Sequence, residues 1–249
     1  MKICRFTSGD SEPNTGVLVD DRIFLVEDEA RSDRFFARGE VRLLSPVAPS
    51  KVVCVGRNYA EHAKELGNEV PKEPLLFLKA PSSIIGDSDS IIIPPQSEQV
   101  EHEGELAIII GRECKNVADD EDPLDYIFGY SCLNDVTARD LQRKDVQFTR
   151  AKSFDTFCPI GPFIETELDT SDLRVVTRVN GVIKQDGRTS RMVFPVPFLV
   201  RYISRQMTLF PGDVIATGTP SGVSKMVDGD ICEVEIEGIG VLTNKVGNQ

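Results

Sequence analysis

The stretch Glu103-Gly104-Glu105-Leu106-Ala107-Ile108-Ile109-Ile110-Gly111 runs two acids into an apolar, β-branched segment that stops at glycine. That composition predicts a core strand with carboxylates at its mouth. Side chains alternate along a strand, so Glu103 and Glu105 share a face, and Glu101 shares it too. Like charges held that close repel unless a cation lies between them. An all-oxygen cluster of this kind suits a hard divalent ion, magnesium or manganese. Taken alone, the stretch fits a solvated strand end equally well.

Four further segments carry groups that could work beside such an ion. Arg57 to Gly67 predicts a short helix after a buried strand at Lys51 to Gly56, with Asn58 as N-cap and Gly67 as C-cap. His62 and Glu65 share one face of that helix. A carboxylate beside an imidazole raises its basicity and fixes its orientation, as a general base requires. On a polar helix the same pair can be no more than an exposed ion pair. Phe128 to Asp135 reads as a strand delivering Asp135 at its end, and residues 136–142 as a helical turn or two. Arg139 and Gln142 then fall on the Asp135 side of that helix. Asp135 is a candidate third metal ligand beside two groups suited to anions and carbonyls, or else a helix cap. Lys152 is a buried cation at a site or an ordinary surface lysine. Val214 to Gly222 reads as a strand entering a glycine-rich turn, which can offer N–H groups and a hydroxyl to a carboxylate. It lacks the lysine of a phosphate loop.

The elements that must hold these groups are mostly strands. Residues 1–48 form a small β-rich segment, with a hairpin from Gly16–Val19 and Arg22–Val26 around Asp20-Asp21. Asp28 to Glu40 predicts a loop or short helix, and Leu43 to Pro49 a linker. No chemistry is evident in this segment, whose expected role is packing. Residues 49–249 carry everything else. Pro74 to Lys79 predicts a strand, and Ile91–Ile93 before two prolines an edge strand. Asn180-Gly181 predicts a tight hairpin. Phe198 to Met207 predicts an amphipathic helix behind Pro197. Strands at Ile231–Ile236 and Gly238–Asn244 close the chain. The fold class is α+β, mainly β, with few short helices.

A formal net charge of -12 argues against nucleic-acid and anionic-membrane surfaces. No apolar run reaches the length of a membrane span, and the N-terminus lacks the apolar stretch of a signal peptide, so the expected compartment is the cytoplasm. The six cysteines are dispersed without zinc or redox spacing, which predicts reduced thiols.

Five motifs in one order resemble the fumarylacetoacetate hydrolase family over about residues 50–245. They are Gly56-Arg57-Asn58-Tyr59 with His62 and Glu65, Glu103-Gly104-Glu105, Asn134-Asp135-Val136-Thr137-Ala138-Arg139-Asp140 with Gln142, Lys152-Ser153-Phe154, and Thr217-Gly218-Thr219-Pro220. The resemblance is strongest to the acylpyruvase and oxaloacetate decarboxylase branch. It implies a mixed, sandwich-like β-roll and a homodimer. It implies that Glu103, Glu105 and Asp135 hold magnesium or manganese, and that His62 and Glu65 activate water from a mobile lid helix. Arg139, Gln142 and Lys152, with Arg57 as a weaker candidate, would grip substrate oxygens, Lys152 taking part in catalysis. Thr219 would meet the substrate carboxylate through its hydroxyl and backbone. The fourth metal carboxylate of larger members has no clear counterpart. The implied substrate is a small 2-oxo acid handled through an enolate, foremost by hydrolysis of the C–C bond of acylpyruvates (2,4-dioxo acids). Oxaloacetate decarboxylation or tautomerisation, isomerisation of hydroxymuconate-type diacids and hydration of 2-oxo-enoates could use the same intermediate. An inactive metal-binding scaffold is the non-enzymatic alternative.

Overall fold

The computed structural model describes residues 1–9, 12–28 and 30–249. The first strands are β1 (Lys2–Thr7), β2 (Asn14–Val19), β3 (Arg22–Glu27), β4 (Ala30–Ala37) and β5 (Arg42–Leu44). The expected hairpin is β2–β3. Where a loop or short helix was expected over Asp28 to Glu40, only Arg38–Glu40 forms a short helical turn, and β4 pairs with the free edge of β3. Cross-strand contacts explain the difference: Phe35 packs on Phe24, and the Arg31 guanidinium lies over the Phe24 ring. Glu29, within that expected loop, lies outside the described residues.

Then follow β6 (Val52–Gly56), α1 (Ala60–Glu65), β7 (Leu75–Lys79), β8 (Ile84–Ile85), β9 (Ser90–Ile93), β10 (Val100–Glu101), β11 (Gly104–Ile110), β12 (Ile127–Asn134) and β13 (Thr137–Ala138). The chain continues through α2 (Arg139–Lys144), α3 (Thr149–Lys152), β14 (Cys158–Glu165), β15 (Arg174–Val179), β16 (Val182–Arg188), α4 (Val196–Ser204), β17 (Val214–Ala216), β18 (Ile231–Ile236) and β19 (Gly240–Asn248). The main sheet runs β4-β3-β2-β1-β14-β12-β11-β17-β6-β7, with β5 beside β1 and β8 beside β14. A second sheet runs β16-β15-β18-β19-β9, and β10 and β13 form a separate ribbon. Most pairs are antiparallel, while β6–β17, β8–β14 and β9–β19 are parallel. The architecture is therefore mixed and mainly β, and the 1–44 strands extend the main sheet through β1–β14 rather than standing apart.

Every residue of β11 is buried. Leu106, Ile108 and Ile110 pack toward Val175, Val234 and Ile236 of the second sheet and Leu199, Val200 and Ile203 of α4. Ala107 and Ile109 face the opposite cluster with Val52, Cys54 and Val214. Burial on both faces is why this strand reads as a continuous apolar run rather than an alternation. Its N-terminal end meets the C-terminal ends of β12 and β17, and β6 runs parallel to β17. The acids, the helix after β6 and the turn after β17 are thus gathered at one place.

Two local expectations change. The helix after Asp135 begins at Arg139, because Thr137–Ala138 pairs instead with Val100–Glu101. Tyr59, not Asn58, occupies the N-cap of α1. The Asn58 amide instead donates to the carbonyls of Thr217 and Phe194 and accepts from the Phe194 N–H. The six cysteines are free and buried, and burial pushes the Cys4 and Cys132 thiols up to about 12. Among the described residues no helix is long and apolar enough to cross a membrane.

Candidate active site

Register sets the acids side by side. Gly104 faces Asn134 across β11–β12, and the Asp135 N–H donates to the Glu103 carbonyl at 2.8 Å. Glu103, Glu105 and Asp135 each offer an oxygen, all within 4.8 Å of one another, and all three are buried. Cations surround two of them. Lys152 Nζ donates to Glu103 Oε2 and Asp135 Oδ2, both at 2.7 Å. The Arg139 guanidinium pairs with Glu103 and, through Nε at 2.8 Å, with Glu101. Lys79 Nζ reaches Asp135 Oδ1 at 2.6 Å. Among the described residues, Glu105 receives only the Gly218 N–H, at 2.7 Å.

The titration directions follow these contacts. Burial opposes ionisation of Glu103, but Lys152 and Arg139 outweigh it and hold the carboxyl well below its ordinary range. Burial, joined by the charges of Asp135 and Glu103, drives Glu105 well above it. Burial also works against the Lys152 ammonium, yet Asp135 and Glu103 raise its pKa. The cluster is all oxygen, enclosed, and one positive charge short at Glu105. That donor set fits a hard divalent cation, with Glu103, Glu105 and Asp135 as the residues that would hold it.

His62 and Glu65 stand on α1 over the same cavity. His62 Nδ1 lies 3.3 Å from Glu65 Oε2, and the Glu65 carboxylate also accepts the Gly222 N–H at 3.0 and 3.2 Å. The imidazole is buried and the carboxylate one-third exposed (33%), so this is not the exposed pair of a polar helix. The cavity, about 340 Å³, is lined by all ten residues singled out from the sequence: Arg57, His62, Glu65, Glu103, Glu105, Asp135, Arg139, Gln142, Lys152 and Thr219. Phe77 and Phe148, edge to face at 5.5 Å, supply an apolar wall.

Several of these groups are already committed. Gln142 Oε1 accepts from Arg139, which leaves its amide N–H groups for another acceptor. The Thr219 hydroxyl donates to the Gly104 carbonyl at 2.9 Å and accepts from Gln185 Nε2 at 2.7 Å. Its proton therefore points into the protein, and a donor contact from Thr219 to a substrate is left to the backbone.

Sequence reasoning passed over Lys79, Glu101 as a partner of Arg139, Arg143 at the rim, His102 and Gln185. A lysine closing the apolar run Leu75–Leu78 was the available signal for Lys79. Gln185 lies in a polar hairpin and carried none.

A family model described as fumarylacetoacetate (FAA) hydrolase C-terminal matches residues 51–247, and one described as Rv2993c-like N-terminal matches residues 1–46. Human mitochondrial oxaloacetate tautomerase FAHD2A is 44% identical over 222 residues, covering 84% of this chain and 70% of that protein. The crystal structure of 5-carboxymethyl-2-hydroxymuconate delta-isomerase from Mycobacterium smegmatis superposes with a TM-score of 0.92 at 45% identity, covering 100% of this chain and 99% of the other. Maleylpyruvate hydrolase from Sphingobium sp. SYK-6, solved with manganese(II) and pyruvate, gives a TM-score of 0.83 at 32% identity over 100% and 99% of the two chains.

Proposed function

The chain belongs to the fumarylacetoacetate hydrolase family, and from that premise we propose that it is a metal-dependent enzyme that hydrolyses the C–C bond of small 2,4-dioxo acids. The observation that carries this reading is that an imidazole–carboxylate pair and a three-carboxylate cluster line one cavity of about 340 Å³. A divalent cation bound there would stabilise, as a Lewis acid, the negative charge that develops on the 2-oxo oxygen.

The chain's own groups do the rest. Glu65 holds Nδ1–H of His62, which leaves Nε2 free to accept a proton from water. The hydroxide adds to the distal carbonyl carbon. The bond between that carbon and C3 breaks, its electron pair stays with the pyruvate portion, and C3 takes the proton held by His62. Lys152 has one N–H left beyond Glu103 and Asp135, and Gln142 has its amide N–H groups. These supply preorganised donors for the developing oxyanion.

A second reading has its own support. Arg57, Arg139, Arg143 and Lys152 balance Glu65, Glu103, Glu105 and Asp135 in the lining, so a divalent ion leaves two positive charges for a dianion. A 2-oxo diacid such as oxaloacetate meets that requirement, as the named relative suggests. His62 would then move a proton between C3 and oxygen without water. The deciding experiment incubates a 2,4-dioxo acid and enol-oxaloacetate separately with the protein, with magnesium, manganese or a chelator. Metal-dependent pyruvate release from the 2,4-dioxo acid supports hydrolysis. Ketonisation alone supports tautomerisation, and inertness of both substrates defeats both readings.

A further inference from the structure

The helix that carries His62 and Glu65 is six residues long. Isolated helices below about 12 residues do not hold themselves together in water. Something outside α1 must fix it, and the structure offers two anchors. One is Asn58, tied to the Thr217 carbonyl at 2.7 Å just before the helix. The other is the Gly222 N–H, which holds the Glu65 carboxylate at its far end. The Thr217 carbonyl and the Gly222 N–H belong to the turn that follows β17, whereas Val193 and Phe194 also hold Asn58 at the helix entry, so the far end of α1, with Glu65, is the end that depends on the turn.

That turn is itself held against β16, and the packing leaves no slack. A Cβ on Gly222 (φ +104) would lie 2.0 Å from the Lys184 carbonyl oxygen. A Cβ on Gly187 would lie 2.5 Å from Pro220. At the centre sits Gln185, fully buried. Its Oε1 accepts the Gly104 N–H at 3.0 Å, so Nε2 faces the turn and spends both hydrogens there, on Thr219 Oγ1 and the Pro220 carbonyl, each at 2.7 Å. Buried His102 completes the set. Nδ1 lies 3.2 Å from Gln185 Oε1, which can only accept, so Nδ1 is the donor. Nε2, 2.9 Å from Ser224 Oγ, is left to accept from that hydroxyl. The hydrogen bonds therefore run one way, from Ser224 through His102, Gln185 and Thr219 to the Gly104 carbonyl. Turn residues 219 and 224, on either side of Gly222, are fastened to Gly104 at the start of β11 and to His102 just before it.

We propose that Gln185 and His102 are positioning residues for the water-activating pair, acting through the Gly222 N–H that docks Glu65. Neither lines the cavity, and neither hydrogen-bonds to the acidic cluster's oxygens. Their role is to hold the turn where one backbone amide can seat the end of α1, and with it the imidazole. The catalytic part of this inference rests on the base role given to His62 and Glu65 above, whereas the docking part does not.

The test measures amide hydrogen exchange in the full chain without substrate, for wild type, Gln185→Leu and Gly222→Ala. The expected result is exchange of the amides of residues 62–68 faster by at least about tenfold, with amides of β15 and β18 unchanged, since local opening is separable from global unfolding. Manganese titration should give the same affinity in all three proteins. Turnover should fall through kcat by about tenfold or more, with KM within about threefold, because losing orientation of a base removes transition-state rather than ground-state interactions. His102→Asn, which keeps a donor for Gln185, should recover most of the protection that His102→Leu loses. If Gln185→Leu fails to fold, Gly222→Ala carries the test, since it moves the turn from its surface side. Unchanged exchange in α1 overturns the proposal, and so does equal acceleration in every strand. Should wild type turn over neither substrate class, the functional reading fails while the exchange result still decides this one.

Discussion

Lys79 Nζ donates to Asp135 Oδ1 at 2.6 Å, and both side chains are shut away from solvent. Without Lys79, Asp135 keeps only the Lys152 ammonium, which it shares with Glu103, so one buried carboxylate oxygen loses its donor and part of its compensating charge, at a cost of about 1–3 kcal/mol. Lys79→Met should therefore lower the stability of the metal-free protein by about that amount. A divalent ion supplies the positive charge that the variant lacks. The rise in Tm on adding manganese should thus be larger in Lys79→Met than in wild type. An equal rise in thermal melts of the two proteins would show that Lys79 does not share the charge balance of the cluster.

His62 lines the cavity but is not among the three acids of the cluster. Its removal should separate chemistry from metal binding. His62→Ala is expected to lose about a hundredfold to ten-thousandfold in turnover, the usual share of a general base. Manganese affinity, followed by calorimetry, should stay within about threefold. Wild-type turnover by the variant would take His62 out of the reaction.

The parts of this site that could be read in advance are those whose residue types declare their chemistry. Glu103 and Glu105 ahead of an apolar run, Asp135 at a strand end and His62 beside Glu65 each carried a local signal, and all of them reach one cavity. Most strand positions were also legible, because apolar runs and turn residues such as Asn180-Gly181 act locally. The long-range partners were not. Asn58 looked like a helix cap, since asparagine before a helix normally is one. Its amide is taken by Phe194 and Thr217 instead, 136 and 159 residues away. β4 was hidden because its pairing depends on the open edge of β3. Gln185 was hidden because a glutamine in a polar hairpin looks the same whether its amide faces water or, as here, four buried partners.

Among the described residues no cation pairs with Glu105, and that gives it a distinctive signature. In the metal-free protein its charge is opposed by burial and by Asp135 and Glu103. Glu105→Gln removes that conflict while keeping an acceptor for the Gly218 N–H. The variant should be as stable as wild type or slightly more stable without metal. With metal at about a hundred times the wild-type Kd, wild type gains about 2.7 kcal/mol by mass action. The variant should gain far less, because it lacks a ligand charge. Thermal melts with and without manganese check both halves, and an undiminished gain would place the ion elsewhere.

Asp213 contributes to the acid side of the stability profile. Its carboxylate accepts the Ser50 N–H and hydroxyl at 2.9 and 2.7 Å and the Phe210 N–H at 2.8 Å, and pairs with the Lys51 ammonium at 2.5 Å. It thereby fastens the segment entering β6 to the turn entering β17. Burial opposes its ionisation, but Lys51, the Phe210 N–H and Ser50 prevail, so the folded pKa lies below the ordinary value. The unfolded chain then binds the proton more readily than the folded one. The stabilisation is fully present above the ordinary aspartate range near pH ~4 and is lost as pH falls toward the folded value. Asp213→Asn should cost on the order of 1–3 kcal/mol at pH 7, because donors gathered for a carboxylate meet an amide. Below about pH 4 the gap between the two proteins should narrow, since wild type loses there what the variant never had. Urea unfolding at a series of pH values measures the gap. Parallel curves down to pH ~2.5 would mean that the Asp213 carboxylate is not held below its unfolded pKa.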